Sequence, residues 1–294
     1  MSDTAVILMA YGSPERVADV PAYYSDIRGG RPIAPEHLDD LVSRYRSLGI
    51  EDSNPLNAIT EATRASLQQE LGLPVYTGMK HWTPHIADAV EAAVEGGAQQ
   101  LVGLVLAPHY SRLSIAGYRD QLEAALGDRA ELVFIESWHD DDGFISFLAD
   151  RVQGTNAHVV FTAHSLPERI LAAGDPYRDQ LLETSRLVAE AAELDSWSFS
   201  FQSESPTGEP WLGPDILDHL ADLKERGVER VLVCPVGFVA DHLEIRWDLD
   251  HEAVERAAEL GLGLARIEMP NADPSFVAVL AGLVRRAVAV PSSA

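Results

Sequence analysis

H-V-V-F-T-A-H-S-L-P-E, residues His158–Glu168, has the pattern of a buried strand that runs into a loop. Val159, Val160, Phe161 and Thr162 favour a strand, and the run breaks at Ser165-Leu166-Pro167. It is apolar almost throughout instead of alternating, as suits a strand covered on both faces of its sheet. A-V-I-L-M-A-Y-G-S-P-E (Ala5–Glu15) echoes it, with Tyr11 where the later stretch has His164. L-V-L-A-P-H (Leu104–His109) and V-L-V-C-P-V (Val231–Val236) form a second such pair.

Strands are expected at Ala5–Ala10, Pro74–Thr77, Leu101–Ala107, Glu131–Ile135, His158–Ala163, Trp197–Phe201, Arg230–Pro235 and Leu262–Ile267. Amphipathic or alanine-rich helical segments lie between them, at Asn57–Leu71, Pro84–Glu95, Tyr177–Leu194 and Asp215–Arg226. Strand–helix alternation of this kind gives an α/β fold with parallel sheets. With the echoes, the strands divide into two similar Rossmann-like domains, each a four-stranded parallel sheet flanked by helices. The boundary falls near Asp140–Gly154, giving domains 1–142 and 143–272, and a C-terminal helix at 273–290 is expected to pack back on the first. Ligands bind outside the carboxyl ends of such strands. Tyr11, His109, His164 and the segment after the seventh strand therefore face one cleft.

The chain has 294 residues, ample for two domains. Acidic residues outnumber basic ones 46 to 22, a net charge of -24. That argues against nucleic-acid or anionic-membrane binding, which needs a basic surface. Solubility or a saline habitat explains the acidity as well as a cation funnel does. Lys80 and Lys224 are the lysines and every other basic residue is arginine, a side chain suited to bidentate carboxylate recognition. The single cysteine, Cys234, excludes an internal disulfide and an iron–sulfur cluster. M-S-D-T-A-V-I-L-M-A-Y at the start lacks the basic region of a signal peptide, and no apolar run reaches the length of a membrane span. A soluble, cytoplasmic protein without membrane insertion is expected.

Beyond the seventh strand, V-G-F-V-A-D-H-L-E-I-R-W-D-L-D-H-E-A-V-E (Val236–Glu255) places Asp241, Glu244, Asp248, Glu252 and Glu255 at helical spacing. Like charges so spaced cost a few tenths of a kcal/mol per pair, so stability alone does not account for them. Hard oxygen ligands at a strand mouth suit a divalent cation. His164 and Glu244, at strand ends of one sheet, form an imidazole–carboxylate pair able to bind such a metal or move protons. Arg28, Arg31, Arg44 and Arg46 gather in the first quarter, and Arg44-Tyr45 suits a carboxylate joined to an aromatic plane. His81 and His85 have a metal-pair spacing, but Pro84 is expected to start the helix, so a zinc site there is rejected. Neither G-x-G-x-x-G after the first strand, nor G-x-x-x-x-G-K-[ST], nor G-x-S-x-G is present.

The motifs, in order, resemble the ferrochelatase family, specifically the soluble coproporphyrin ferrochelatases of Gram-positive and actinobacterial type. They are M-A-Y-G-S-P (Met9–Pro14), G-M-K-H (Gly78–His81), L-A-P-H-Y-S (Leu106–Ser111) and T-A-H-S-L-P-E-R-I (Thr162–Ile170). G-D-P-Y-R-D-Q-L (Gly174–Leu181), Q-S-E (Gln202–Glu204), P-W-L-G-P-D (Pro210–Asp215), P-V-G-F-V-A-D-H-L-E (Pro235–Glu244) and E-M-P-N-A (Glu268–Ala272) follow. The resemblance implies two Rossmann-like domains around a porphyrin cleft, with His164 and Glu244 as the metal-insertion pair. It implies that Tyr11 contacts product iron from the opposite face. Arg28, Arg44, Tyr45 and Tyr118 match positions that hold the macrocycle and its propionates. Asp248 and Glu252 match an outer acidic site for a hydrated divalent ion such as Mg2+.

Departures exist. The family serine after the Arg-Tyr pair corresponds to Ser53 or Asn54, Gly29 replaces a second basic residue and leaves Arg31 as the alternative contact, and Phe201 stands where some relatives carry tryptophan. The implied reaction inserts Fe2+ into coproporphyrin III in haem biosynthesis, with iron as substrate and no resident cofactor. The lack of an apolar membrane lip favours coproporphyrin III over protoporphyrin IX. A monomer supplying a downstream coproheme decarboxylase is expected. A cobalt or nickel tetrapyrrole chelatase and a non-catalytic haem-binding chaperone are the competing readings.

Overall fold

The computed structural model describes residues 3–31, 34–49, 55–205 and 207–289. Ser53 and Asn54 lie outside them. Strand β1 (Thr4–Ala10) leads through α1 (Val20–Ile27), α2 (Pro35–Ser47) and α3 (Pro55–Leu71) to β2 (Val75–Met79). Then come α4 (Ile86–Glu95), β3 (Gln100–Val105), α5 (Ile115–Leu126), β4 (Glu131–Ile135) and α6 (Asp142–Val152). The second half runs β5 (His158–His164), α7 (Arg169–Ala172), α8 (Tyr177–Ala191), β6 (Trp197–Gln202), α9 (Ile216–Glu225) and β7 (Arg230–Cys234). A π-helix (Ile245–Ala253), α10 (Val254–Leu260), β8 (Gly263–Arg266) and α11 (Pro274–Ala289) complete it.

The strands form two four-stranded sheets, ordered β2-β1-β3-β4 and β6-β5-β7-β8, with every pairing parallel. The two orders are the same, so β1 and β5 occupy equivalent inner slots. Both bury their side chains on each face: Val6 to Met9 and Val159 to Ala163 have at most 1% exposure. This is the origin of their continuous apolar runs. β3 and β7 end at Val105 and Cys234, short of the expected Ala107 and Pro235, because Pro108 and Pro235 end the ladders. The α4 segment differs from expectation at its start. Pro84 stays outside the helix, His85 is the N-cap, and Asp88 Oδ2 accepts from the His85 N–H at 2.8 Å.

The largest core cluster draws on both halves, from Val6 and Val102 to Phe161 and Val236. A buried polar seam fixes their relation. Asp175 accepts from Ser111 Oγ at 3.1 Å and from the Arg112 N–H at 2.8 Å, and Gln180 Oε1 accepts from the Tyr110 N–H at 2.7 Å. His109 Nε2 meets Thr184 Oγ1 at 2.8 Å. Helix α11 returns to the first half, packing on α3, β3 and β4 as well as α6. Among the described residues no helix is long and apolar enough to cross a membrane.

Candidate active site

His164 is the last residue of β5, paired in register with Gln202 of β6. Its Nδ1 contacts the Ser165 carbonyl and its main-chain carbonyl accepts from Tyr177 Oη at 3.0 Å. Donation from Nδ1 to a carbonyl leaves Nε2 to face the cleft. There Nε2 lies 3.5 Å from Glu244 Oε1. Glu244 Oε2 is 3.4 Å from Nε2 of a second imidazole, His242. His242 is held in turn by Nδ1 at 2.9 Å from the Ala240 carbonyl. The Glu244 carboxylate thus sits between two histidine rings.

Both side chains of the pair keep access to solvent, at 29% for His164 and 38% for Glu244. Burial opposes charge on His164, but the Glu244 carboxylate outweighs it and pushes the imidazole up to about 9. Burial likewise opposes charge on Glu244, and His164 followed by His242 holds it well below the usual carboxylate range. At neutral pH the pair is an imidazolium beside a carboxylate. An imidazole in such a pair can ligate a cation only by giving up its proton.

The acidic stripe does not form a single site. The segment is π-helical over Ile245–Ala253, not α-helical throughout, with Glu244 as its N-cap. A π-turn closes by i→i+5 bonds and is wider than an α-turn, so four-residue steps keep Glu244, Asp248 and Glu252 along one side. Asp241 leaves the stripe: its oxygens take Arg266 Nη2 and Asn271 Nδ2, each at 2.8 Å. Glu255 is exposed and faces His251 at 3.6 Å. Asp248 is buried, bound by Ser203 Oγ and by Gln202 Nε2 at 3.4 Å. Burial, then the charge of Glu244, push its carboxyl up to about 7. Glu252 is half-buried. Among the described residues no group of three or more His, Cys, Asp or Glu side chains converges as a metal cluster. Asp248 is thus engaged by Gln202 and Ser203 at the end of β6.

Across the cleft, Tyr11 follows β1 and stays 42% exposed. Its ring lies 4.7 Å from that of His81, whose Nδ1 is 2.9 Å from Asp26 Oδ2. Burial and the Glu244 charge both raise the Tyr11 phenol above its ordinary value, so it stays protonated. His85, the α4 N-cap, shares no metal cluster with His81. Arg28 caps α1 and is exposed, as is Arg31. Arg44 stands on α2 with its guanidinium carbon 5.2 Å from the Trp247 ring centroid and Nε 3.0 Å from Asp40 Oδ2.

Tyr45 and Tyr118 are not on the open surface, each having 3% exposure. Tyr45 Oη meets Ser13 Oγ at 3.3 Å, and burial pushes its phenol up to about 12. Lys80 Nζ lies 4.7 Å from the Tyr118 ring centroid, between that ring and the Ser114 carbonyl it binds at 3.0 Å. Tyr45 and Tyr118 are thus packed behind the surface and do not stand open on it. His109, expected at the cleft, is buried in the polar seam.

Sequence reasoning passed over His242, Ser203, Gln202 and Trp247. His242 carries a visible signal, since it stands two residues before Glu244 in D-H-L-E. Ser203 and Gln202 join Asp248 only through the fold.

Two sheets of one strand order, with an imidazole–carboxylate pair at one inner strand and a tyrosine at its counterpart, define a two-domain α/β metal chelatase. Solved structures agree on the fold. SirB from Bacillus subtilis with Fe3+ has a TM-score of 0.64 at 12% identity, covering 97% of this chain and 96% of that one. CbiX, the terminal enzyme for biosynthesis of sirohaem in denitrifying bacteria, has a TM-score of 0.55 at 14% identity, covering 98% and 100%. The ferrochelatase family model matches residues 3–288. A ferrochelatase of Herpetosiphon aurantiacus is 44% identical over 96% of this chain and 98% of its own length. The coproporphyrin III ferrochelatase of Bacillus subtilis is 40% identical over 95% and 96%. The chain belongs to the ferrochelatase family, enzymes that insert iron into a porphyrin.

Proposed function

We propose that this enzyme inserts ferrous iron into coproporphyrin III, releasing iron coproporphyrin and two protons. The observation that carries the proposal is the His164–Glu244 pair, 3.5 Å apart at the carboxyl end of β5 and open to solvent. A free porphyrin is planar, with two inward N–H groups that must leave as iron enters. Binding in a walled cleft bends the ring toward the geometry in which its nitrogens face the metal. Fe2+ meets the Glu244 carboxylate and the His164 imidazole on one face, and the pair accepts a pyrrole proton as the metal moves on. Asp248, whose carboxyl titrates near neutrality, is the next acceptor along the π-helix. Tyr11 faces the iron from the other side, and Arg28 and Arg44 take propionates.

The acidic balance supports a cation funnel toward the cleft, while the arginines of α1 and α2 supply local positive charge. Iron is a substrate in transit, and the protein needs no resident cofactor. A cytoplasmic monomer passing its product to a coproheme decarboxylase completes the reading. The test is anaerobic insertion of Fe2+, Co2+ and Ni2+ into coproporphyrin III and protoporphyrin IX without detergent. Iron with coproporphyrin III is expected to give the highest kcat/KM. A preference for protoporphyrin IX, or for cobalt or nickel, overturns the substrate assignment.

A further inference from the structure

We propose that Trp247 is a positioning residue for Arg44, holding the arm that grips a porphyrin carboxylate and tying it to the element that begins at Glu244. The inference rests on the reading of Arg44 as a carboxylate-binding arm. Arg44 belongs to α2 in the N-terminal half, whereas Trp247 is on the π-helix of the C-terminal half. Their contact joins the two halves, with the guanidinium carbon 5.2 Å from the indole centroid. Asp40 holds the Nε edge at 3.0 Å. Among the described residues the Nη groups have no hydrogen-bond partner. One face and one edge of the guanidinium are thereby fixed, leaving the outer edge to meet a carboxylate in its plane.

Two further observations support this role. Trp247 Nε1 is buried without a hydrogen-bond partner. A tryptophan placed for its N–H would have an acceptor, so the ring is present for its face, and indole offers a cation the best aromatic face. In addition, Leu243, adjacent to Glu244, packs into the Val20–Tyr45 cluster of α1 and α2. The helix bearing Arg44 therefore rests on the segment bearing Glu244 through an apolar contact and a cation–π contact. Carboxylate capture by Arg44 is thus registered against the metal-receiving carboxylate.

The experiment is steady-state iron insertion with coproporphyrin III for wild type, Trp247→Leu, Arg44→Gln and the double variant. Trp247→Leu is expected to raise the porphyrin KM about fivefold and to hold kcat within about twofold. Trp247→Tyr and Trp247→Phe retain an aromatic face and recover most of the loss. In the Arg44→Gln background, Trp247→Leu is expected to add less than about 1.5-fold, because the arm it positions is gone. An equal multiplicative effect in both backgrounds, or a fall in kcat at unchanged KM, overturns the proposal. If Arg44→Gln itself leaves KM unchanged, the carboxylate role of Arg44 fails, and the inference with it. If Arg44→Gln raises KM but Trp247→Leu does not, the Trp247 inference alone fails. Should Trp247→Leu not fold, the same cycle with Trp247→Phe decides, its smaller KM rise vanishing in the Arg44→Gln background.

Discussion

Tyr11 follows β1 and His164 closes β5, equivalent inner strands of two sheets with the same order. At the first, a ring faces solvent beside His81, and its phenol is held protonated. At the second, an imidazole is held protonated by a carboxylate from another element. The backbone supplies matching places, and the neighbours supplied by later loops make one neutral and the other ionic. The two sides of the cleft should therefore respond very differently to equally small changes.

The largest contrast is in catalysis. His164→Ala is expected to lower kcat for iron insertion by about a thousandfold or more and to leave porphyrin binding, read by fluorescence quenching, nearly intact. Tyr11→Phe is expected to keep kcat within about threefold and to shift the absorption of bound iron porphyrin. Wild-type turnover in His164→Ala, or equal losses in both variants, breaks the division of labour between the two strands.

Titration gives a smaller and sharper contrast. The raised pKa of His164 means its stabilisation is full below about 6.5 and is lost as pH climbs through about 9. Glu244 is shifted down, so its contribution is present above about 4.5 and is lost as pH falls toward its folded pKa. The pair therefore stabilises most between about 4.5 and 6.5. NMR titration should place the His164 midpoint near 9 in wild type. Glu244→Gln should lower it by about one unit or more. A midpoint unmoved by Glu244→Gln removes the ionic half of the comparison.

The smallest effect concerns packing. Gly237 follows β7 where it passes β5, and a Cβ there would lie 2.5 Å from Ala163 Cβ and 2.9 Å from Ala163 Cα. Backbone and Cβ atoms cannot swing aside, so Gly237→Ala must push β5 or the following segment. A cost of about 1–3 kcal/mol and a Tm lower by roughly 3–8 °C are expected, with iron insertion weakened through His164. Gly12, after β1, meets Met79 and Trp82 Cβ atoms at 3.0 Å with φ of +87°. Gly12→Ala is expected to destabilise the Tyr11 side to a similar degree, read by the same melting experiment.

Much of this was legible in the chain because buried parallel strands write themselves as apolar runs. His158–Ala163 needed only one added residue, and Glu131–Ile135 matches the observed strand. The echo between Ala10–Glu15 and Ala163–Glu168 pointed to equivalent places that the shared strand order reproduces. The acidic stripe was less legible. Spacing of three and four residues does not distinguish an α-turn from a π-turn, and it gives no sign that Arg266 and Asn271 take Asp241 away. His242 was visible in D-H-L-E, but its role was not, since its partner carboxylate is already paired with His164. The depth of Tyr45 and Tyr118 depends on Ser13 and Lys80 arriving from the segments after β1 and β2, which no local pattern encodes.

Helix α11 has a consequence in time. Its buried residues Phe276, Val277, Leu280, Ala281, Leu283 and Val284 complete the cover over α3, β3 and β4, elements made far earlier. At ribosomal speeds of about 5–20 residues per second, the gap between β4 and α11 lasts on the order of ten seconds. For that interval β3 and β4 lack the part of their cover that α11 supplies. The N-terminal half, begun first, is thus finished only when α11 emerges.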